Sequence, residues 1–282
     1  MSNTWKCLLA AGGLLFAAVG EGRAQASDYG EDGYNHNSVR PIHESDIMYR
    51  MGLWRRMNLN NPVNAPFFAD GNEITKIMID AVKQGRLVPY TNDSLNTPMT
   101  KDEFIKAITM EDDGFDAAPA DDFGGGDNFG GGGWGDEPAA KDDGFGQEAP
   151  VAISNEYFAS DLYLLELRED LIFDKTRSRM YFDMLAISIV LPAEKNVTNL
   201  EKKIATFKYK DLVEVFEQTP NAKWYNTANR AEDKNLSDAF DLRLFHSYIV
   251  KMSNPRDQML ADIYTSTPEA GLIAAQQMEH RI

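Results

Sequence analysis

The chain has 282 residues, with 44 acidic side chains against 28 basic ones and a formal net charge of −16. No basic stripe of the kind that neutralises nucleic-acid phosphates runs through it, and its one cysteine, Cys7, excludes a disulfide framework and a paired-cysteine redox motif. The charge is local: residues Glu111 to Ala149 hold twelve carboxylates against Lys141 alone, eleven of the sixteen net negative charges, and the remainder is only mildly acidic.

Met1 to Lys6 carry one lysine and no acid, Cys7 to Val19 are apolar or small, and Ala24-Gln25-Ala26 supplies a small-x-small site. A membrane-spanning helix needs about 20 apolar residues. The shorter run predicts a secretory signal peptide over residues 1–26, cut after Ala26. Cys7 stands at the start of the apolar run, whereas a lipid-bearing cysteine follows it. Residues 27–39, rich in Asp, Gly, Asn and Tyr, have too few aliphatic side chains for a core and are expected to form a flexible leader.

Residues 40–110 read as mainly helical. Glu44 or Ser45 caps a predicted helix with Ile47, Met48, Met51 and Trp54 on one face and Arg55 and Arg56 in its last turn, where they complement the helix dipole. A second helix follows Asn72, with Ile74, Ile77, Met78, Ala81 and Val82 at helical offsets and Gly85 as its stop. Leu87 to Tyr90 reads as a short strand, and Thr100 with Glu103 as a capping box opening a third helix that bears Phe104, Ile105 and Ile108.

Residues 111–150 are Asp, Gly, Ala and Pro, with Phe115, Phe123, Phe129, Trp134 and Phe145 spaced through them and eleven of the 21 glycines. Like charge and glycine entropy oppose burial, which predicts a disordered acidic linker. The nonapeptide period of calcium-binding solenoids is not kept; Gly132 to Glu137 comes nearest, without a second copy.

Residues 151–282 read as an α+β module. Tyr163 to Phe173 and Met180 to Leu191 suggest a long antiparallel hairpin reversing at Asp174 to Arg177. A strand at Ala205 to Tyr209 and a helix at Asp211 to Gln218 follow. A helix from about Ser237 to Phe245 then runs into Tyr248 to Met252, and a C-terminal helix covers Pro268 to Ile282. The fold class is therefore α+β, a helical N-terminal region and a hairpin module joined by the acidic segment.

Motifs for chemistry are sparse. His36, His43, His246 and His280 have no metal-ligand spacing, and neither GxSxG, a P-loop nor a strand-borne GxGxxG is present. Glu169 with Asp170 reads as hairpin solubility, and Glu232 with Asp233 as charge at a helix start. No cofactor or metal is predicted. A periplasmic hydrolase or saccharide-binding protein stays open as the alternative to an assembly subunit, and it would need a polar cleft with shifted carboxylates.

Longer strings carry more. Arg40-Pro41-Ile42, Trp54-Arg55-Arg56, Asn64-Ala65-Pro66-Phe67-Phe68, Gly71 to Ile77 and Tyr90 to Leu95 are followed by Glu169-Asp170, Phe173-Asp174-Lys175, Ile187 to Leu191 and Phe245 to Lys251. In that order they resemble the gliding motility protein GldN family, also called PorN. The stretch Ile204 to Phe216 departs from the expected Trp-aromatic-Pro-acid pattern. The resemblance implies a periplasmic subunit of the type IX secretion system without catalytic residues. It also implies a ring formed with a GldK- or PorK-like outer-membrane lipoprotein and contact with a GldM- or PorM-like motor protein. The interface candidates are the hairpin edge from Leu162 to Leu191 and the aromatics Trp54, Phe67, Phe68, Tyr163, Phe173, Trp224 and Tyr225.

Overall fold

A computed structural model describes residues 29–110 and 156–282, apart from Arg230, Ser266 and Pro268. The signal-peptide segment, the first two leader residues and the acidic segment of 111–150 lie outside the described residues.

The frame is a five-stranded antiparallel sheet in the order β4-β3-β2-β1-β7. Its strands are β1 (Ile47–Asn58), β2 (Leu164–Asp174), β3 (Arg179–Leu191), β4 (Lys202–Lys208) and β7 (Tyr248–Met252). A two-stranded ribbon pairs β5 (Lys223–Trp224) with β6 (Lys234–Asn235). The helices are α1 (Ile74–Lys83), α2 (Lys101–Ile108), α3 (Tyr209–Gln218), α4 (Leu236–Asp241), α5 (Leu260–Ile263) and α6 (Ala270–Glu279). The class is α+β, as expected.

The expected hairpin is present: β2 and β3 pair from Leu164↔Val190 to Asp174↔Arg179 around a turn at residues 175–178. The Asp174 carboxylate closes that turn by accepting from the Thr176 and Arg177 amides at 2.8 and 3.0 Å. The helix over Ile74–Lys83 ends on Gly85 at φ +74°, where the Arg86 amide reaches Ala81 O at 2.9 Å. The capping box also forms, with both Thr100 and Glu103 in their reciprocal bonds.

The helix expected from Ile47 is a strand. Ile47, Met48, Met51 and Trp54 fit a helical stripe, but Tyr49, Met51, Leu53, Arg55 and Met57 also alternate, and the second period wins because eleven β2 residues pair with it. An arginine at an inward position disguised the alternation. Residues 40–110 are thus a strand followed by two helices. Leu87 to Tyr90 contributes only isolated bridges, in which Tyr90 exchanges both backbone bonds with Thr206 at 2.8 Å; Pro89 beside it lacks a donor. The helix near Ser237 stops at Asp241, because Arg243 takes φ +52° and Tyr248–Met252 turns into a strand beside β1.

Register places Met57, Leu165, Ile189 and Ala205 in one row, and Arg55, Leu167, Ile187 and Phe207 in the next. On these rows pack Ile74 and Met78 of α1, Phe104 of α2, Leu212 and Phe216 of α3 and Phe240 of α4, in one continuous core. Phe104 meets Phe207 edge-on at 6.1 Å, and Phe67 meets Phe240 at 5.1 Å. Residues on both sides of the acidic segment therefore build the same sheet and core. Residues 29–39, expected to be a flexible leader, lie against the sheet: Asn35 and Ser38 are buried, and Tyr29 lies under the Arg50 guanidinium at 4.9 Å. Phe207→Ala removes a fully buried ring shared by α2 and the sheet, and is expected to cost about 3–5 kcal/mol in a denaturant titration of the whole chain.

Candidate interaction surfaces

The hairpin predicted as an edge is the interior of the sheet. Both β2 and β3 have neighbours on each side, and the outer strands are β4 and β7. Open margins remain where those outer strands are short: β4 pairs only with Ala186 to Leu191 of β3, and β7 only with Leu53 to Arg56 of β1. The turn-proximal parts of β1, β2 and β3 extend beyond both.

The sequence-selected aromatics fall into two sets. Phe67, Phe68, Trp224 and Tyr225 meet at one corner, where the Tyr225 backbone amide donates to Pro66 O at 3.2 Å and the Asn72 side-chain Nδ2 to the Tyr225 hydroxyl at 2.6 Å. Phe67 is fully buried, so it holds the fold and is no interface anchor in the folded chain. Phe68 and Trp224 are half-buried against the core. Trp54, Tyr163 and Phe173 are spread along the sheet. Trp54 is taken up internally: its indole N–H donates to the Asp93 carboxylate at 2.6 Å, and its face carries Lys251 Nζ at 3.8 Å. Burial raises the Asp93 pKa, but the charge of Lys203, the Trp54 bond and Lys251 outweigh it and hold that carboxyl below its ordinary value. For Tyr163, burial and the neighbouring Glu194 carboxylate push the hydroxyl upward.

Phe173 belongs to a feature that the sequence reading missed. Across the turn-proximal end of β1, β2 and β3 runs an apolar groove of about 640 Å³. Its floor includes Met51, Leu171, Phe173 and Met180, and Met278 and Ile282 from the C-terminal end of the chain line it as well. Met48 is 74% exposed and Met180 46%. Unbranched thioether chains adapt to irregular partners. The signal was the pair Met48 and Met51 together with the alternation of Leu171 and Phe173, which the helical reading of residues 47–56 concealed.

Beside the groove, Glu169 and Asp170 are buried, contrary to a solubilising role. Glu169, 0% exposed, accepts from Arg55 Nε and from Arg243 at 2.7 and 3.2 Å, and Arg55 also reaches Glu279 of α6 at 2.8 Å. Asp170 accepts from Arg50 at 2.7 Å. Arg55 and Arg56, read as helix-end cations, are thus sheet residues held by carboxylates; Arg56 donates to Glu201 at 2.5 Å and Glu166 at 3.3 Å. In the last helix Ala274 and Ala275 are buried while Leu272 and Ile273 are exposed.

A second cavity, of about 500 Å³, lies between residues 39–42, β3 and α4, with Asp183, Asp241, Tyr209 and Arg243 in its lining. Burial lifts the Asp183 carboxyl to about 7; the Ser38 hydroxyl, donating at 2.8 Å, opposes that rise and the Asp170 carboxylate adds to it. Asp241 is engaged by Arg40 at 2.6 Å and by the Tyr209 hydroxyl at 3.2 Å. Among the described residues no group of three or more His, Cys, Asp or Glu is placed to hold a metal, and no helix is long and apolar enough to cross a membrane.

The sequence profile of the family described as "Gliding motility associated protein GldN" matches residues 42–282, from the cavity segment to the end of the chain. The chain belongs to the GldN family. No curated protein matches it. Membership makes it a component of the gliding-motility and type IX secretion machinery. The strings Asn64 to Phe68 and Phe245 to Lys251 lie within the match and meet in space: the Asn64 side chain donates to His246 O at 2.8 Å and accepts the His246 amide at 2.7 Å. His246 itself is exposed.

The raised Asp183 carboxyl has a consequence for stability. The folded state holds a proton that the unfolded chain releases near pH 4, so stability present at low pH is lost as the pH rises from about 4 through about 7. Asp183→Asn keeps the acceptor for Ser38 and removes the buried charge. It is expected to raise Tm at pH 7.5 and leave it unchanged at pH 3.5, as read by thermal melts at both values.

Proposed function

We propose that the chain is a structural periplasmic subunit of the type IX secretion system. In this reading it binds a GldK- or PorK-like lipoprotein at the inner face of the outer membrane, repeats with copies of itself as a ring, and contacts the periplasmic part of a GldM- or PorM-like motor protein. The family membership carries the reading, and the exposed apolar surfaces support it. A ring needs two different complementary patches on each subunit, because a heterologous contact that closes by rotation never uses the same patch twice. The methionine groove at the turn-proximal end of the sheet is one such patch, and the exposed Leu272 and Ile273 of α6 supply another. The groove receives the neighbouring copy.

The hydrolase alternative draws on one observation, the Asp183 carboxyl lifted to about 7 inside a cavity. The second carboxylate that such chemistry requires would be Asp241, and it is already neutralised by Arg40 and bonded by Tyr209.

Co-expression with the lipoprotein partner, followed by size-exclusion chromatography and electron microscopy, is expected to show large rings. Met48→Asp with Met180→Asp alters exposed groove positions, and it is expected to disperse the assemblies while the circular-dichroism melt stays unchanged. A chain that remains solitary beside its lipoprotein would contradict the reading, and rings of unaltered size in the double variant would remove the groove from it.

A further inference from the structure

The cavity between residues 39–42 and β3 is lined by three arginines together with the carboxylates of Asp183 and Asp241. Arg40, Arg177 and Arg243 stand around the apolar side chains of Ile42, Met180 and Phe182, on a chain of net charge −16. The Arg40 and Arg177 side chains are 80% and 62% exposed, so their ion pairs with Asp241 and Asp174 leave donors facing solvent. Arg243 lies over the Phe182 ring at 4.2 Å. A volume of about 500 Å³ falls within the roughly 300–1,000 Å³ typical of ligand sites. An aromatic ring entering it would meet an apolar floor and guanidinium planes, and a carboxylate beside that ring would meet exposed arginines.

The sequence contains segments of that chemistry. Between Met110 and Glu156 an aromatic residue recurs five times, each beside glycine and close to a carboxylate: Asp113-Gly114-Phe115-Asp116, Asp122-Phe123-Gly124, Asp127-Asn128-Phe129-Gly130, Gly133-Trp134-Gly135-Asp136 and Asp143-Gly144-Phe145-Gly146. The segment leaves and returns at one point, since Thr109 bridges Glu156 and the Tyr157 amide donates to Ile108 O at 2.8 Å. Residues 111–155 number 45. Half of them, extended at about 3.3 Å per residue, reach roughly 70 Å, whereas a folded chain of this size measures on the order of 40–50 Å across. The cavity is within reach.

We propose that this arginine-rimmed cavity is the docking site for the acid-aromatic-glycine repeats of residues 111–150 of this same chain. One aromatic side chain at a time fills the apolar part, and its neighbouring carboxylate pairs with Arg40 or Arg177. Five similar repeats tethered beside one cavity raise the local concentration of the occupant without any single contact being strong. Neither the ring nor the lipoprotein enters this inference.

The test is a fluorescence-anisotropy titration of a labelled peptide of residues 120–136 onto the full chain from Ser27. A second full chain carries serine at Phe115, Phe123, Phe129, Trp134 and Phe145, and so lacks its tethered competitor. The peptide is expected to bind this second chain at least tenfold more tightly than the unaltered one. Adding Arg40→Glu or, separately, Arg177→Glu should weaken binding tenfold or more, with circular dichroism confirming the fold, and salt should weaken it further. A peptide whose rings are replaced by serine should not bind. Equal affinity for the two chains, binding indifferent to both arginine changes, or equal binding of the ring-free peptide would each overturn the proposal. If the unaltered chain sediments as oligomers that the five serine changes dissolve, the segment acts between copies, which overturns docking within the same chain.

Discussion

One carboxylate organises this sheet. Glu169 lies in the central strand, fully withdrawn from water, and an ion there is tolerable only if its charge is matched and its oxygens are bonded. Arg55 from β1 and Arg243 from the loop after α4 meet it, and Arg55 continues to Glu279 on α6. Four parts of the chain, distant in sequence, thus converge on one acid. Removing both cations would leave the buried charge of Glu169 uncompensated, which is far costlier than the net gain of forming the pairs. In the register, Leu53 faces Glu169 and Arg55 reaches it from two residues further along β1, so the pair ties the two strands diagonally.

That constraint explains how a chain with a 45-residue segment between Met110 and Glu156 forms one sheet from both flanks. The bridge of Thr109 to Glu156 brings the two flanks together at the point of departure, while β1 and β2 pair over eleven rungs elsewhere. The exposed apolar groove is a by-product of the same layout. Since β4 and β7 are short, the turn-proximal third of the sheet has no flanking strand, and its Met and Phe side chains stay open to a partner. Such an open, apolar end is unusual in a protein that works alone.

Much of the local structure was legible in the sequence because local chemistry decides it. The Thr100 and Glu103 box, the stop at Gly85 and the turn at Asp174 each depend on neighbours a few residues away. The first strand was not legible, because Arg55 breaks the apolar alternation and becomes acceptable only when bonded to Glu169, more than a hundred residues later. The same distance hid the meaning of Glu169 itself, which looks like a surface acid until its two arginines are in place. Of the interface candidates, Phe173 does line an open surface and Phe67 is core, a difference no single-residue property foretells. The family, by contrast, was legible through long ordered strings that the profile match covers.

The central claim is that Glu169 ties β1, β2, the loop after α4 and α6 into one cooperative unit. Native-state hydrogen exchange on the whole chain and on Glu169→Gln tests it most directly. The account predicts that amides of Leu53 to Met57, Leu165 to Leu171 and α6 share one opening free energy, and that the substitution lowers it in all three together. Lowered protection confined to the neighbourhood of residue 169, with β1 and α6 unchanged, would contradict it.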